Sequence, residues 1–354
     1  MQIERVEIIP VQLNLREPFR SVRYTEPINQ VETIFIRAEL VRDYGDAWGC
    51  AVLDPSSGKT LEQIRQVCQA CADRLPDINP LNTQFALAEL ALFADGYPAV
   101  QAAIDMLLYD LLGLWSGLPL YRLLGGFRDR IQTSITLGID DVPATVENAR
   151  KHAQNGFRIL KLKGGFDPEL DVRRVRAVKR AFPNLTLRLD ADQGYTVQAA
   201  LEVARALEGK LEFLEQPTPA DDISALRQVT NNSPIPILAD ESLHGPASAL
   251  EIVNLQAADG ISTKLASCGG LDCARQIDTI ARAGHLSTMV GCLNEPALLI
   301  AAGLALALSS PNVRYGDLDG HFDLENDPTI PSFTFENGWL IASESPGLGC
   351  KVNL

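Results

Sequence analysis

Five charged residues, set at one interval along the chain, are the part of this sequence that could do chemistry. Lys163, Asp190, Glu215, Asp240 and Lys264 are separated by 27, 25, 25 and 24 positions. The three acids each follow an apolar run, Leu185–Leu189, Leu211–Leu214 and Ile235–Ala239 in turn, and Lys163 follows Ile159–Leu162. Lys161 stands inside that last run, where an ammonium is a poor fit for a buried strand. Carboxylates at adjacent strand ends offer hard oxygen ligands and leave room for water and substrate, which suits Mg²⁺ better than zinc. The four histidines, His152, His244, His285 and His321, fall outside the ligand positions, although His244 follows Asp240 closely. One such acid alone would be read as a helix cap or a lysine partner. Three on consecutive strands at a fixed interval point to a metal: Asp190, Glu215 and Asp240.

The lysines add a second kind of chemistry. An ammonium held near a divalent cation and another ammonium is disfavoured, so its ordinary pKa of about 10.4 can fall toward neutrality and the amine can act as a base. Lys161 lies two residues before Lys163 on the same strand face, where it depresses its neighbour's pKa or stabilises an anion. The plain alternative is that the lysines only neutralise the carboxylates. A carboxylic acid held on the metal, losing its α-proton to one lysine, becomes an enediolate whose charge the cation stabilises. A lysine on each face would return the proton to the other side.

An interval near 25 residues accommodates one strand, one helix and two loops, and helical patterns fill the gaps, as in Ala199–Leu207 and Ala247–Leu255. Repeated units of this kind predict a parallel barrel. The interval extends back to Gly138 and forward to Val290 and Asp317, giving the eight beats of a (β/α)₈ TIM-type barrel. In that fold the strand ends share one mouth, and Lys163 and Lys264, on the second and sixth strands, face each other across it. The barrel is assigned to residues 126–319. Residues 1–125 form an α+β capping domain, with antiparallel strands through Val11–Leu15 and Ile34–Leu40, a turn at Tyr44–Asp46, and a lid loop over 16–30. Thr60 to Gln63 has the capping-box form and opens a helix toward Leu75; a second helix covers Val100–Leu114. Residues 320–354, with a hairpin turning at Asn337-Gly338, return to the capping domain.

A net charge of −14 argues against nucleic acid and anionic membranes as partners, since both need clustered Lys and Arg. The N-terminus enters an alternating pattern at once, without the apolar region of a signal peptide, and Ala297–Leu308 is too short to span a bilayer. Seven scattered cysteines then indicate reduced thiols and a cytoplasmic setting. Cys68 and Cys71 have redox or zinc spacing, but share an apolar helix face with Leu61, Ile64 and Val67 and read as core. A small-molecule substrate and a homo-oligomeric assembly are expected.

Over essentially its whole length the chain resembles the muconate-lactonising-enzyme subgroup of the enolase superfamily. The resemblance rests on Lys161-Leu162-Lys163, on Asp190, Glu215 and Asp240 with their Glu-Gln-Pro and Ala-Asp-Glu-Ser contexts, and on Lys264 before Gly269-Gly270. Asp317-Leu318-Asp319 is similar to the paired-aspartate motif of dipeptide epimerases, which in that family holds the substrate's α-ammonium group. Two carboxylates facing one way would repel an acyl or aromatic acid. The resemblance implies an isomerase: an Mg²⁺-dependent dipeptide epimerase using Lys163 and Lys264, with Thr136, Lys161, Cys292, Asp317, Asp319 and Tyr24 around the substrate. N-acylamino acid racemisation, o-succinylbenzoate synthesis and muconate-type cycloisomerisation belong to the same subgroup. A Schiff-base lyase and a binding protein without catalysis are the readings from other classes. Three positions depart from the family pattern. Asp192 replaces the asparagine after the third strand. Tyr24, with Arg20 and Arg23 nearby, stands where alanyl-glutamate epimerases carry an arginine. Gly49-Cys50 replaces Gly-Glu. The second leaves alanyl-glutamate specificity open.

Overall fold

A computed structural model describes residues 3–24, 26–41 and 44–354. Met1 and Gln2 of the expected capping domain and Thr25 of the expected lid lie outside the described residues. Strands β1 (Ile3–Phe19), β2 (Ile28–Leu40) and β3 (Asp46–Val52) form an antiparallel sheet in that order. Alternation sorts β2, with Ile34, Ile36, Ala38 and Leu40 toward one apolar cluster and Val31 and Phe35 toward the other. The expected lid is shorter than 16–30: β1 runs on to Phe19, which pairs with Ile28 after an irregularity beyond Asn14. Arg16 and Glu17, successive residues of the strand and so on opposite faces, are polar because both faces of the projecting ribbon are exposed there. Only residues 20–27 make the tip.

Three helices back this sheet, α1 (Leu61–Arg74), α2 (Thr83–Ala94) and α3 (Pro98–Ser116). Thr60 and Gln63 close the capping box on α1 as the sequence indicates. Cys68 and Cys71 are buried with Ile64 in the cap's core. Helix α3 is buried on nearly every side between the small sheet and the barrel, and it carries two buried acids. Asp105 accepts the backbone N–H groups of Leu271 and Asp272, and Asp110 accepts those of Trp48 and Leu348. Gly270 is required where the chains meet, because a Cβ there would lie 2.6 Å from the Asp105 side chain.

A short helix α4 (Leu120–Leu123) and strand β4 (Arg130–Gln132) lead into the barrel. Its parallel strands are β5 (Ser134–Leu137), β6 (Ile159–Lys163), β7 (Thr186–Asp190), β8 (Leu214–Glu215), β9 (Ile237–Ala239), β10 (Gly260–Lys264), β11 (Ser287–Gly291) and β12 (Val313–Gly316), in sequential order. The intervening helices are α5 (Val142–Gln154), α6 (Pro168–Ala181), α7 (Val197–Ala206), α8 (Ile223–Asn232), α9 (Pro246–Leu255), α10 (Leu265–Cys268), α11 (Leu271–Ala283) and α12 (Ala297–Ser309). Helix α12 is apolar all round because the barrel, α4 and strand β3 surround it. No helix of the described residues is long and apolar enough to cross a membrane.

The ring closes between β12 and β5 through side chains more than through a ladder. One bridge joins Thr133 to Gly316. Around it, Thr133 Oγ1 accepts from Leu318 N at 2.8 Å, and Arg188 Nη1 donates to Gly316 O at 2.9 Å. The tail divides between two partners. Strands β13 (Thr329–Ile330) and β16 (Lys351–Val352) pair with each other, while β14 (Thr334–Glu336) and β15 (Trp339–Ile341) form the expected hairpin. That hairpin extends β4, at the barrel's entry, instead of the three-stranded sheet. The contacts of the tail with the cap include Leu324 on Leu15, Asn326 on Gln12 and Asn14, Gly347 on Leu118 and Leu120, and Leu348 on Asp110.

Candidate active site

The ladder register of β6, β7 and β8 sets Lys163 beside Asp190 and Asp190 beside Glu215; Asp240 follows the last residue of β9. Among the described residues, Asp190, Glu215 and Asp240 are the group of three His, Cys, Asp or Glu side chains able to hold one ion, with ligand atoms all within 4.8 Å of one another. All three are buried. Neither oxygen of Glu215 has a hydrogen-bond partner. The Lys161 ammonium lies 2.9 Å from one of them, an ionic contact it shares with Asp190 and Asp317, and the other oxygen has no partner. A buried carboxylate left in that state is costly, and a cation with oxygen preference removes the cost. The residues therefore fit Mg²⁺. No histidine joins them, and His244 is exposed.

Each lysine sits against acids. Lys163 donates to Asp190 at 2.8 Å and to Asp192 at 2.7 Å; Lys264 donates to Asp240. Lys161 lies 2.9 Å from Asp190 and 2.8 Å from Asp317. Burial by itself would lower the pKa of all three, but the carboxylates outweigh it and hold every ammonium above its ordinary value. The fall expected from the sequence belongs to lysines with a divalent cation beside them; the chain's own groups there are mostly anionic.

The paired aspartates are unequal. Asp317 accepts from Ser134 Oγ at 2.5 Å and from Lys161 at 2.8 Å; burial would raise its pKa, but Lys161 holds it below the usual range. Asp319 accepts from the backbone N–H of Thr136 at 2.6 Å, with Cys292 Sγ at 3.4 Å. Burial, and then Asp317, pushes its carboxyl up to about 6. A cleft of about 500 Å³ opens above these groups. Its walls include Tyr24, Thr136, Lys161, Lys163, Lys264, Cys292, Asp317 and Asp319, so the expected lysines and substrate-binding residues meet in one place.

The departures from the family pattern resolve into structure. Asp192 receives Ser21 Oγ from the lid tip as well as Lys163, tying the lid to a lysine of the barrel mouth. Arg23 lines the cleft but is held by Asp54 and Ser56 Oγ, with Glu241 at 3.8 Å. Arg20 contributes a backbone carbonyl to Ile139 N, and its side chain is not among the cleft residues. Gly49 lets α3 approach, since a Cβ there would lie 2.1 Å from Ala103 O; Cys50 is buried beside Met106 and does not line the cleft.

Sequence reasoning missed several neighbours. Arg188 lies beneath the mouth, bonded to Ser134 Oγ at 3.0 Å and Glu212 at 2.7 Å. Its signal was an arginine inside an apolar strand, two residues before Asp190 and so on the same face. Glu241 has both oxygens buried without a hydrogen-bond partner, and burial, then Asp240, pushes it up to about 8. Asn294 and Asp323 also line the cleft, and neither carried a spacing signal.

Residues 144–354 match the family described as Enolase C-terminal domain-like. The L-Lys-D/L-Arg epimerase of Methylococcus capsulatus is 39% identical over 82% of this chain and 78% of that protein. The substrate-liganded L-Ala-D/L-Glu epimerase of Bacillus subtilis superposes with a TM-score of 0.95 at 29% identity, covering all of both chains. The dipeptide epimerase of Enterococcus faecalis V583, complexed with Mg and L-Leu-L-Tyr, gives 0.94 at 32% identity over 99% of each. The chain carries the barrel, the three buried acids and the two-lysine mouth and aligns over essentially its whole length with the Bacillus subtilis and Enterococcus faecalis enzymes, and it belongs to the enolase superfamily, among the dipeptide epimerases.

Proposed function

We propose that the protein is an Mg²⁺-dependent dipeptide epimerase that inverts the α-carbon of the C-terminal residue by a two-base 1,1-proton transfer. The observation that carries this is Glu215, buried with Asp190 and Asp240 in one three-acid group, its oxygens without a hydrogen-bond donor and met only by the Lys161 ammonium, in a mouth with lysines on its second and sixth strands. Asp190, Glu215 and Asp240 would hold the ion. Bound there, Mg²⁺ supplies positive charge for the carboxylate next to the carbon that loses its proton.

The chain's own residues do the remainder. Asp317 and Asp319 receive the substrate's ammonium, which fixes the peptide's direction. Lys163, as the neutral amine that a cation on Asp190 would favour, would take the α-proton on one face, and Lys264, as an ammonium, would deliver a proton on the other. Lys161, anchored among Asp190, Glu215 and Asp317, keeps a positive charge beneath the reacting carboxylate. The lid, fastened through Ser21 and Arg23, keeps water from the face it covers. In this reading residues 1–125 and 320–354 serve the barrel of residues 126–319 as its cap. Unpaired cysteines throughout the chain support a cytoplasmic setting. Exposed Phe85, Leu92 and Phe93 on α2 support a homo-oligomer.

The test is a dipeptide library incubated with Mg²⁺ in D₂O and read by mass spectrometry. A gain of one deuteron at the C-terminal residue of some members is expected. Exchange confined to N-acylamino acids would overturn the dipeptide assignment and leave the superfamily mechanism.

A further inference from the structure

The cleft's charges are unevenly used. Its four cations are committed: Arg23 to Asp54, Lys161 to Asp190 and Asp317, Lys163 to Asp190 and Asp192, and Lys264 to Asp240. Asp317 and Asp319 are likewise occupied by Ser134, Lys161, Thr136 and Cys292. Asp323 differs. It lies on the cleft wall at the end of the turn Gly320–Asp323, half-buried, and among the described residues it has neither a hydrogen-bond donor nor an ion-pair partner. Arg16, the nearby cation, turns its Nε to the carbonyl of Phe322.

Asp323 also has a defined place relative to the substrate. It is near Asp319 and Glu17, which reinforce the effect of burial in pushing its carboxyl up to about 7. Asp319 is where the peptide's ammonium docks, so Asp323 flanks the N-terminal residue and not the carbon that inverts. Phe19 and Leu293 line the same cleft. Apolar walls ending at an unpaired carboxylate match a side chain with an aliphatic stem and a charged head. Asn294 adds a further sign of a polar ligand, since its side-chain nitrogen is buried at this cleft without an acceptor.

We infer that Asp323 is a specificity-determining residue, and that the enzyme selects dipeptides whose N-terminal residue carries a cationic side chain, lysine or arginine. The inference rests on the dipeptide reading above. The stem lies along Phe19 and Leu293, and the head gives Asp323 the ion-pair partner that it lacks among the described residues, where Arg16 acts on it only from a distance. A neutral side chain of equal length fills the walls but leaves the carboxylate unpaired, which costs binding.

The discriminating pair is L-lysyl against L-norleucyl dipeptides, each carried through a range of C-terminal residues, with deuterium exchange followed in the Mg²⁺-loaded enzyme. Wild type is expected to favour the lysyl series by about 30-fold in kcat/KM, through KM, as a charged hydrogen bond made in both ground and transition states would give. Asp323→Asn should bring that ratio to about 1, and Asp323→Glu should restore part of it. Equal turnover of the two series by wild type would overturn the inference. So would an Asp323→Asn enzyme slowed equally toward both, which marks a structural role. If no dipeptide of either series exchanges while N-acylamino acids do, the dipeptide reading itself has failed, and the inference fails with it.

Discussion

Lys163 is held by two carboxylates and Lys264 by one, so the two bases of the proposed reaction start from unequal surroundings. Lys163→Ala and Lys264→Ala should each lower epimerisation by about 10³-fold, the range of a lost general base. Each should still exchange the α-hydrogen of one epimer with solvent, and opposite epimers in the two variants. Near-normal turnover in either would remove the two-base scheme. Asp319 gives a pH dependence with a definite sign. Its carboxyl, pushed up to about 6, must be ionised to receive an ammonium, so kcat/KM should climb as pH rises through about 6. The same shift means that the folded state holds this proton more tightly than the unfolded chain, so its stabilising contribution is lost over that rise. A rate profile of Asp319→Asn without the acidic limb would bear this out. Most of the site's chemistry was legible at this scale, because metal ligands and bases at strand ends leave charges where apolar runs stop. Asp323 and Asn294 were not, since a loop residue with no periodic neighbour looks solvated in sequence; Arg188 was readable in principle from its strand face.

Among the elements, α3 joins the cap to the barrel through Asp105 and holds β3 and the tail through Asp110. Asp110→Ala strands two buried N–H groups, those of Trp48 and Leu348, and should cost about 3 kcal/mol of stability by denaturant titration. Loss of the Thr60 cap on α1 is a useful contrast, at about 1 kcal/mol. Burial pushes both Asp105 and Asp110 up to about 7 against the pull of their N–H donors. Protonated when folded and ionised when unfolded, they make stability fall as pH rises from about 4 to about 7. The urea midpoint of Asp105→Asn should therefore change less than that of wild type between pH 5 and pH 7.5. Elements with a clear period, such as α1 and the barrel strands, were readable. The β1–β2 ribbon was not, because polarity from two-sided exposure looks like a loop. Nor was the role of α3's acids, since nothing in an apolar helix says which partner its few polar side chains will meet.

For the whole molecule, the metal couples separate strands. With Mg²⁺ at about 100 times its Kd, the folded state should gain about 2.7 kcal/mol, and chelation should lower the melting temperature by several degrees. Glu215→Gln should abolish that dependence. The ring closes between its first and last strands at one bridge and a set of side-chain bonds, and one of those bonds belongs to the cleft. The backbone amide of Thr136 donates to the same Asp319 carboxylate that the substrate's ammonium would share. The protein thus carries a built-in spectroscopic reporter. In a two-dimensional ¹⁵N spectrum the Thr136 cross-peak should titrate with Asp319 and shift when a dipeptide arrives, registering occupancy from a main-chain atom without any added label at the active site.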